Sequence, residues 1–115
     1  MENRLLAAAS QANQKFYLAP EFSALPSQIK DEIKIICVLG AERILCDFLM
    51  EFSPDGDIVF KIIKPEDSVD FDGIGADLEI RRIQREKKVL LSSLKLWYVV
   101  NFTEEGSKIK EKMGI

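Results

Sequence analysis

A chain of 115 residues predicts one domain, residues 1–115, long enough to bury a hydrophobic core without disulfide or metal staples. Its 47% hydrophobic and 30% charged residues are ordinary for a globular protein, and a formal charge of −3 argues against a surface built throughout to grip nucleic acid. Histidine is absent, which removes the commonest general base, the commonest transition-metal ligand and every Ser/His or Cys/His arrangement.

Residues 2–17 carry Leu5, Ala8, Ala9, Ala12 and Phe16 at helical spacing, with Glu2 near the start and Lys15 near the end. This predicts a first amphipathic helix with a small-residue face. The helix is expected to stop before Pro20, because the residue preceding a proline avoids helical geometry. Residues 19–25 read as a connector from which Phe22 and Leu25 tuck inward. A second helix is expected to open at Leu25-Pro26, with Asp31 and Glu32 in its early turns, where the helix dipole favours carboxylates. Ile29, Ile33, Ile36 and Cys37 form its buried stripe, widened by Ile35, Val38 and Leu39, and Gly40 reads as its terminator.

Residues 44–63 carry the clearest local signal. Ser53-Pro54-Asp55-Gly56 reads as a type I turn closed by a glycine bulge, with proline pre-setting the first corner and Gly56 supplying the left-handed residue. Such a turn sets Ser53 opposite Asp57, Phe52 opposite Ile58, Met50 opposite Phe60 and Phe48 opposite Ile62. All of these apolar pairs land on one face, since side chains alternate along a strand. The even face (Ile44, Cys46, Phe48, Met50, Phe52, Ile58, Phe60, Ile62) is wholly apolar. The odd face mixes Leu45, Leu49, Val59 and Ile63 with Asp47, Glu51 and Lys61. Two strands alone are marginal, so helices are expected over the even face, leaving the odd face half covered.

Residues 64–70 read as a polar loop, with Asp70 or Asp72 capping a further helix. Ala76, Ile80, Ile83, Lys87, Leu90, Leu94 and Trp97 hold helical spacing with one lysine interruption, predicting a long helix, continuous or once broken, over about 73–101. Between residues 89 and 100 it is apolar nearly all round, which places it centrally in the core or in an interface. A third strand over residues 96–102 is the rival reading, since Trp97, Tyr98, Val99 and Val100 favour strands. Thr103 is placed to cap a last short helix running through Lys112.

Several constellations in the sequence have plainer explanations. Residues 68–79 overlay a calcium-binding loop, with Asp70, Asp72, Gly73 and Glu79 on ligand and turn positions. Ser68 in place of the first aspartate, Gly75 in the aliphatic slot and a strand rather than a helix upstream all oppose calcium binding. An acidic helix start explains the same residues. Arg81, Arg82, Arg85, Lys87 and Lys88 form a basic block best read as a solvated face, with Asp77–Arg81 and Glu79–Arg82 at ion-pair spacing. A winged-helix reading of the hairpin fails on element order and on Asp55 and Asp57 at the tip, which would repel phosphate. The glycines Gly73 and Gly75 alone are too little for a phosphate loop, and nearby aspartates oppose an anion. Cys37 and Cys46 read as reduced, buried thiols of a cytosolic protein. The apolar run at residues 5–9 is too short for a signal peptide, and no stretch approaches a membrane span.

The run Leu25-Pro26-x-x-Ile29-Lys30-Asp31-Glu32, then Ile36-Cys37-Val38, Phe71-Asp72-x-Ile74-Gly75 and Ile83-Gln84-Arg85-Glu86-Lys87, resembles a family of small uncharacterised proteins, a domain of unknown function, from clostridial Firmicutes. The resemblance covers most of the chain. It implies a bacterial, cytoplasmic setting and carries no activity, cofactor or site.

These readings combine into an α+β domain: an antiparallel β-hairpin (about 44–52 and 57–63) packed against two N-terminal helices and a long C-terminal helix (about 73–101). The functional expectation is a non-enzymatic cytosolic interaction or accessory protein, without cofactor or metal, that self-associates as a homo-oligomer or binds another protein, and engages neither membrane nor nucleic acid. The apolar excess points to Leu91, Leu96, Trp97, Tyr98, Val100, Leu45 and Leu49 as the interaction surface. The alternative is a small-molecule-binding regulatory module, its pocket between hairpin and C-terminal helix walled by Trp97 and Tyr98. An enzyme using Asp47 and Glu51 is the third class, disfavoured because both alternate on the solvent-leaning side of a strand.

Overall fold

The computed structural model describes residues 2–64 and 73–103. It is an α+β fold in which a four-stranded antiparallel sheet carries its helices on one face. Strands β1 (Arg4–Ser10) and β2 (Lys15–Leu18) form a first hairpin, followed by a short 3-10 turn at Pro20–Phe22 and helix α1 (Ser27–Ile44). Strands β3 (Asp47–Phe52) and β4 (Ile58–Ile63) form the second hairpin, and helices α2 (Gly73–Glu86) and α3 (Lys88–Phe102) complete the described chain. The sheet order is β2-β1-β3-β4, so β1, first in the sequence, lies inside the sheet.

The second hairpin has the register its turn dictates. Phe52 faces Ile58, Met50 faces Phe60 and Phe48 faces Ile62. The Ser53 amide donates to Asp57 O at 2.8 Å, the Gly56 amide donates to Ser53 O at 2.9 Å, and Gly56 sits at φ 90°, where a side chain is strained. The strands are shorter than expected at one end, because Ile44 still belongs to α1 and Leu45 ends that helix in the left-handed region at φ 57°.

The first hairpin replaces the helix expected over residues 2–17, so one helix rather than two precedes β3. Ala7 and Ala9 pair with Met50 and Phe48 on the inner face, at 0% and 4% exposure, beneath α1. Their smallness lets α1 ride close to the sheet, and this packing demand outweighs alanine's helix preference. The Asn13 amide and side chain both donate to Ser10 Oγ, and Gln14 at φ 49° reverses the chain. Between Leu5 (opposite Glu51) and Ala7 (opposite Met50), Leu6 is an extra residue, a β-bulge that buries it completely.

Gly40 does not terminate α1. It lies mid-helix against the Phe48 ring, where an added Cβ would sit 3.2 Å from two ring carbons. The connector behaves as expected, with Phe22 and Leu25 at 0% and 2% exposure. The expected α1 stripe is buried at Ile33, Ile36 and Cys37, whereas Ile35 and Leu39 face outward.

The long C-terminal helix is broken once, at Lys87 (φ −109°, ψ 25°), and residues 96–102 are helical rather than a third strand. Lys87 is the stripe position without an apolar anchor, so a bend there sacrifices no buried side chain. Ala76, Ile83, Leu90 and Leu94 are buried on either side of it. Helix α2 packs on α1, and α3 packs on β4. Phe22, Phe48 and Phe52, all fully buried, contribute about 1.5–3 kcal/mol each through burial. The expected caps Asp70 and Asp72, the first five positions of the calcium-loop overlay and the helix through Lys112 lie outside the described residues.

Candidate interaction surface

Strand alternation sends half of the sheet's side chains away from the helices, and the register arranges them in rows. Tyr17, Ala8, Leu49 and Lys61 form one row across all four strands. Leu5, Glu51 and Val59 form the next across three, and Ile63 lies opposite Asp47 at the end. Tyr17 and Ile63 are 50% and 54% exposed, and Leu5, Ala8, Leu49 and Val59 are partly exposed. Among the described residues no helix packs on this face.

The charges on the face are balanced. Lys61 Nζ lies 3.0 Å from Glu51 Oε1, which also accepts from Asn3 Nδ2 at 3.2 Å. Lys15 and Asp47 add one charge of each sign. Four strands at about 4.8 Å spacing and six residues at about 3.4 Å make the face roughly 19 Å by 20 Å, about 400 Å² in projection.

The seven residues expected to form one surface are dispersed. Leu49 lies centrally on the open face. Leu45 is 55% exposed at the left-handed end of α1, and Leu96 is 66% exposed on α3. Leu91 and Val100 are half-buried. Tyr98 belongs to the core at 5% exposure, stacked on Phe52 and Phe102 with centroids 4.5 and 5.3 Å apart. Trp97 is half-buried and packs on Phe22 and Phe102 at 5.9 and 5.5 Å. The expected aromatic walls at Trp97 and Tyr98 are therefore rings packed on rings. A shallow cavity of about 220 Å³ between β4 and α3 is lined instead by Ile58, Leu91, Asp57 and Lys95. Leu5, Ala8 and Tyr17, missed from the sequence, come from the hairpin read there as a helix.

Electrostatics fix the frame behind the face. Arg4 Nη1 donates to Glu21 Oε2 at 2.8 Å while its guanidinium lies 5.0 Å from the Phe102 ring centroid, tying the first strand to the last described helix. Lys95 Nζ donates to Asp57 Oδ1 at 2.8 Å, fastening the β3–β4 turn to α3. Glu79 accepts from Arg82 and Arg43, bracing α2 on α1, and hydrogen bonding led by Arg82 holds its carboxyl below the usual range. Burial pushes the Cys37 thiol up to about 12, and burial, with the charge of Asp47, also raises Cys46. Both cysteines are free.

Among the described residues no group of three or more carboxylates or cysteines is placed to hold a metal ion, and no helix is long and apolar enough to cross a membrane. No curated protein and no solved structure matches the chain. A family model described as a family of unknown function (DUF6145) matches residues 3–106. The chain belongs to that family.

Proposed function

We propose that this chain is a non-enzymatic interaction protein that associates with a second copy of itself through the open face of its sheet. The observation that carries the reading is the apolar cross-strand set Tyr17, Ala8, Leu49, Leu5 and Val59, with Ile63 beside it, on a face that no described helix covers. A second copy suits the face electrostatically. Lys15, Lys61, Asp47 and Glu51 sum to zero, so two identical faces meet across a two-fold axis without net repulsion. The whole face, charged residues included, projects about 400 Å². It is about half the roughly 800 Å² per partner of a standard interface, which predicts a reversible dimer rather than an obligate one.

Leu49→Arg tests the reading, because the side chain points away from the core and the charge lands at the centre of the face. Sedimentation velocity at roughly 10–100 μM is expected to find a concentration-dependent dimer for the parent and a monomer for the variant, with unchanged circular dichroism. A parent that stays monomeric across that range overturns the proposal, as does a variant that dimerises as well as the parent.

A further inference from the structure

Strand β2 is an outer strand of the sheet, so one of its sides faces no other strand. The register tells which main-chain groups lie there. The Ala19 amide donates to Leu6 O at 2.9 Å, and hydrogen-bonded pairs alternate along an antiparallel ladder. Tyr17 therefore bonds to Ala8 and Lys15 to Ser10, and the N–H and C=O groups of Phe16 and Leu18 point away from β1. Among the described residues these groups have no partner. The same alternation sends the Lys15 and Tyr17 side chains to the open face. Phe16 and Leu18, opposite Ala9 and Ala7, turn to the helix side. Pro20, which has no N–H, closes the edge soon after Leu18.

Helix α1 borders this edge across a cavity of about 430 Å³. Ala9 and Ala41, at 4% and 2% exposure, make the floor, and the half-buried side chains of Phe16 and Val38 make the walls. Lys34, Val38 and Glu42 follow one another along α1 at intervals of four residues, a wall of about 12 Å. The four residues of β2 span about 14 Å. An open strand edge and an apolar groove thus lie side by side over the same length.

We propose that this edge and groove take up an extended peptide of a partner protein, which adds to the sheet beside β2 and lowers an apolar side chain over Ala9 and Ala41. The main-chain groups of Phe16 and Leu18 repeat at about 6.8 Å, the spacing that another extended main chain matches. The apolar floor selects Leu, Ile or Phe at the inward position of that peptide. An edge of four residues is too short to template a second sheet, which favours a peptide over edge-to-edge pairing of two copies. The site is separate from the open face and does not rest on self-association there.

The experiment is a titration of the full-length protein followed by amide chemical shifts. The probe is the heptapeptide acetyl-Thr-Val-Ser-Leu-Ser-Val-Thr-amide, whose Val, Leu and Val share one side. Saturable shifts confined to residues 9–18 and 34–42 are expected below about 2 mM peptide. Whichever way the peptide runs, only alternate amides face β2. N-methylation at the leucine or at the serine before it should therefore cost at least tenfold in one isomer and little in the other. Replacing the peptide leucine by alanine should weaken binding roughly tenfold, as should Val38→Lys in the groove, whereas Val89→Lys on α3 leaves it unchanged. The proposal is overturned if no saturable shifts appear by about 2 mM, if the two N-methyl isomers bind alike, or if Val38→Lys retains full affinity. It also falls if residues 34–42 shift with protein concentration alone, since a second copy would then occupy the groove.

Discussion

Replacing Gly40 by alanine measures how closely α1 rides on the sheet. On an unobstructed helix this change gains about 0.8–1.0 kcal/mol. Here the new Cβ would lie 3.2 Å from Cδ2 and Cε2 of Phe48 and 3.3 Å from its Cγ. That ring is fully buried and backed by Phe60, with centroids 5.6 Å apart, so it must yield by a few tenths of an ångström. Overpacking of this kind costs about 1–3 kcal/mol, which leaves a net loss of roughly 0–2 kcal/mol, opposite in sign to the free helix. Urea unfolding followed by circular dichroism gives the value directly. In a Phe48→Leu background the shorter side chain can rotate away from the new methyl, and the helix-propensity gain returns. The double-mutant cycle should then show a coupling of about 1 kcal/mol. Gly40→Ala stabilising the parent by the full propensity amount, or a coupling near zero, would refute the close approach.

Glu79→Gln is expected to lower stability at neutral pH by about 1 kcal/mol, because the carboxylate is mostly buried and accepts from two arginines. Its folded-state pKa is depressed, so the contribution is complete above the usual carboxylate range and is lost as pH falls through the lowered value. Denaturation curves of parent and variant should therefore converge in acid; a gap independent of pH would contradict the ion-pair account. Cys37 and Cys46, both 2% exposed or less with thiol pKa values raised, should resist a thiol-disulfide reagent at about pH 8 in the native state and both react in denaturant. Prompt native labelling of either would show that the core opens locally.

The hairpin of β3 and β4 was legible because two independent signals, turn chemistry and alternation, agree on one register. The stripe from Ala76 to Trp97 was legible for the same kind of reason, and even its interruption at Lys87 marks the break. The first hairpin was not. Alanines at residues 7–9 satisfy a helical pattern, and their reason for being small lies in α1, which passes over them only in three dimensions. The informative signals were slight: Ser10 and Asn13 forming a turn, and a strand of only four residues, Lys15–Leu18. The end of α1 was hidden as well, since Leu45 takes a left-handed conformation usually given to glycine. The candidate surface divides along the same line. Leu49, Val59 and Ile63 could be read from the second hairpin, whereas Leu5, Ala8 and Tyr17 entered only with the first. A helix apolar all round does not reveal which way Tyr98 points, and only the stacking with Phe52 shows that it faces in.

The interior position of β1 has a bearing on how the chain assembles during synthesis. Arg4 pairs with Phe52 and Ala9 with Phe48, so partners 48 (52 − 4) and 39 (48 − 9) residues apart must meet. The first hairpin emerges from the ribosome with one edge of β1 bare until residues 47–52 are available. Closing a loop of that length is a slow, entropy-limited event compared with forming either hairpin or α1 alone. The docking of β3 onto β1 is accordingly the step expected to set the folding rate, and the nascent edge is the point at which a holding chaperone would have most to protect.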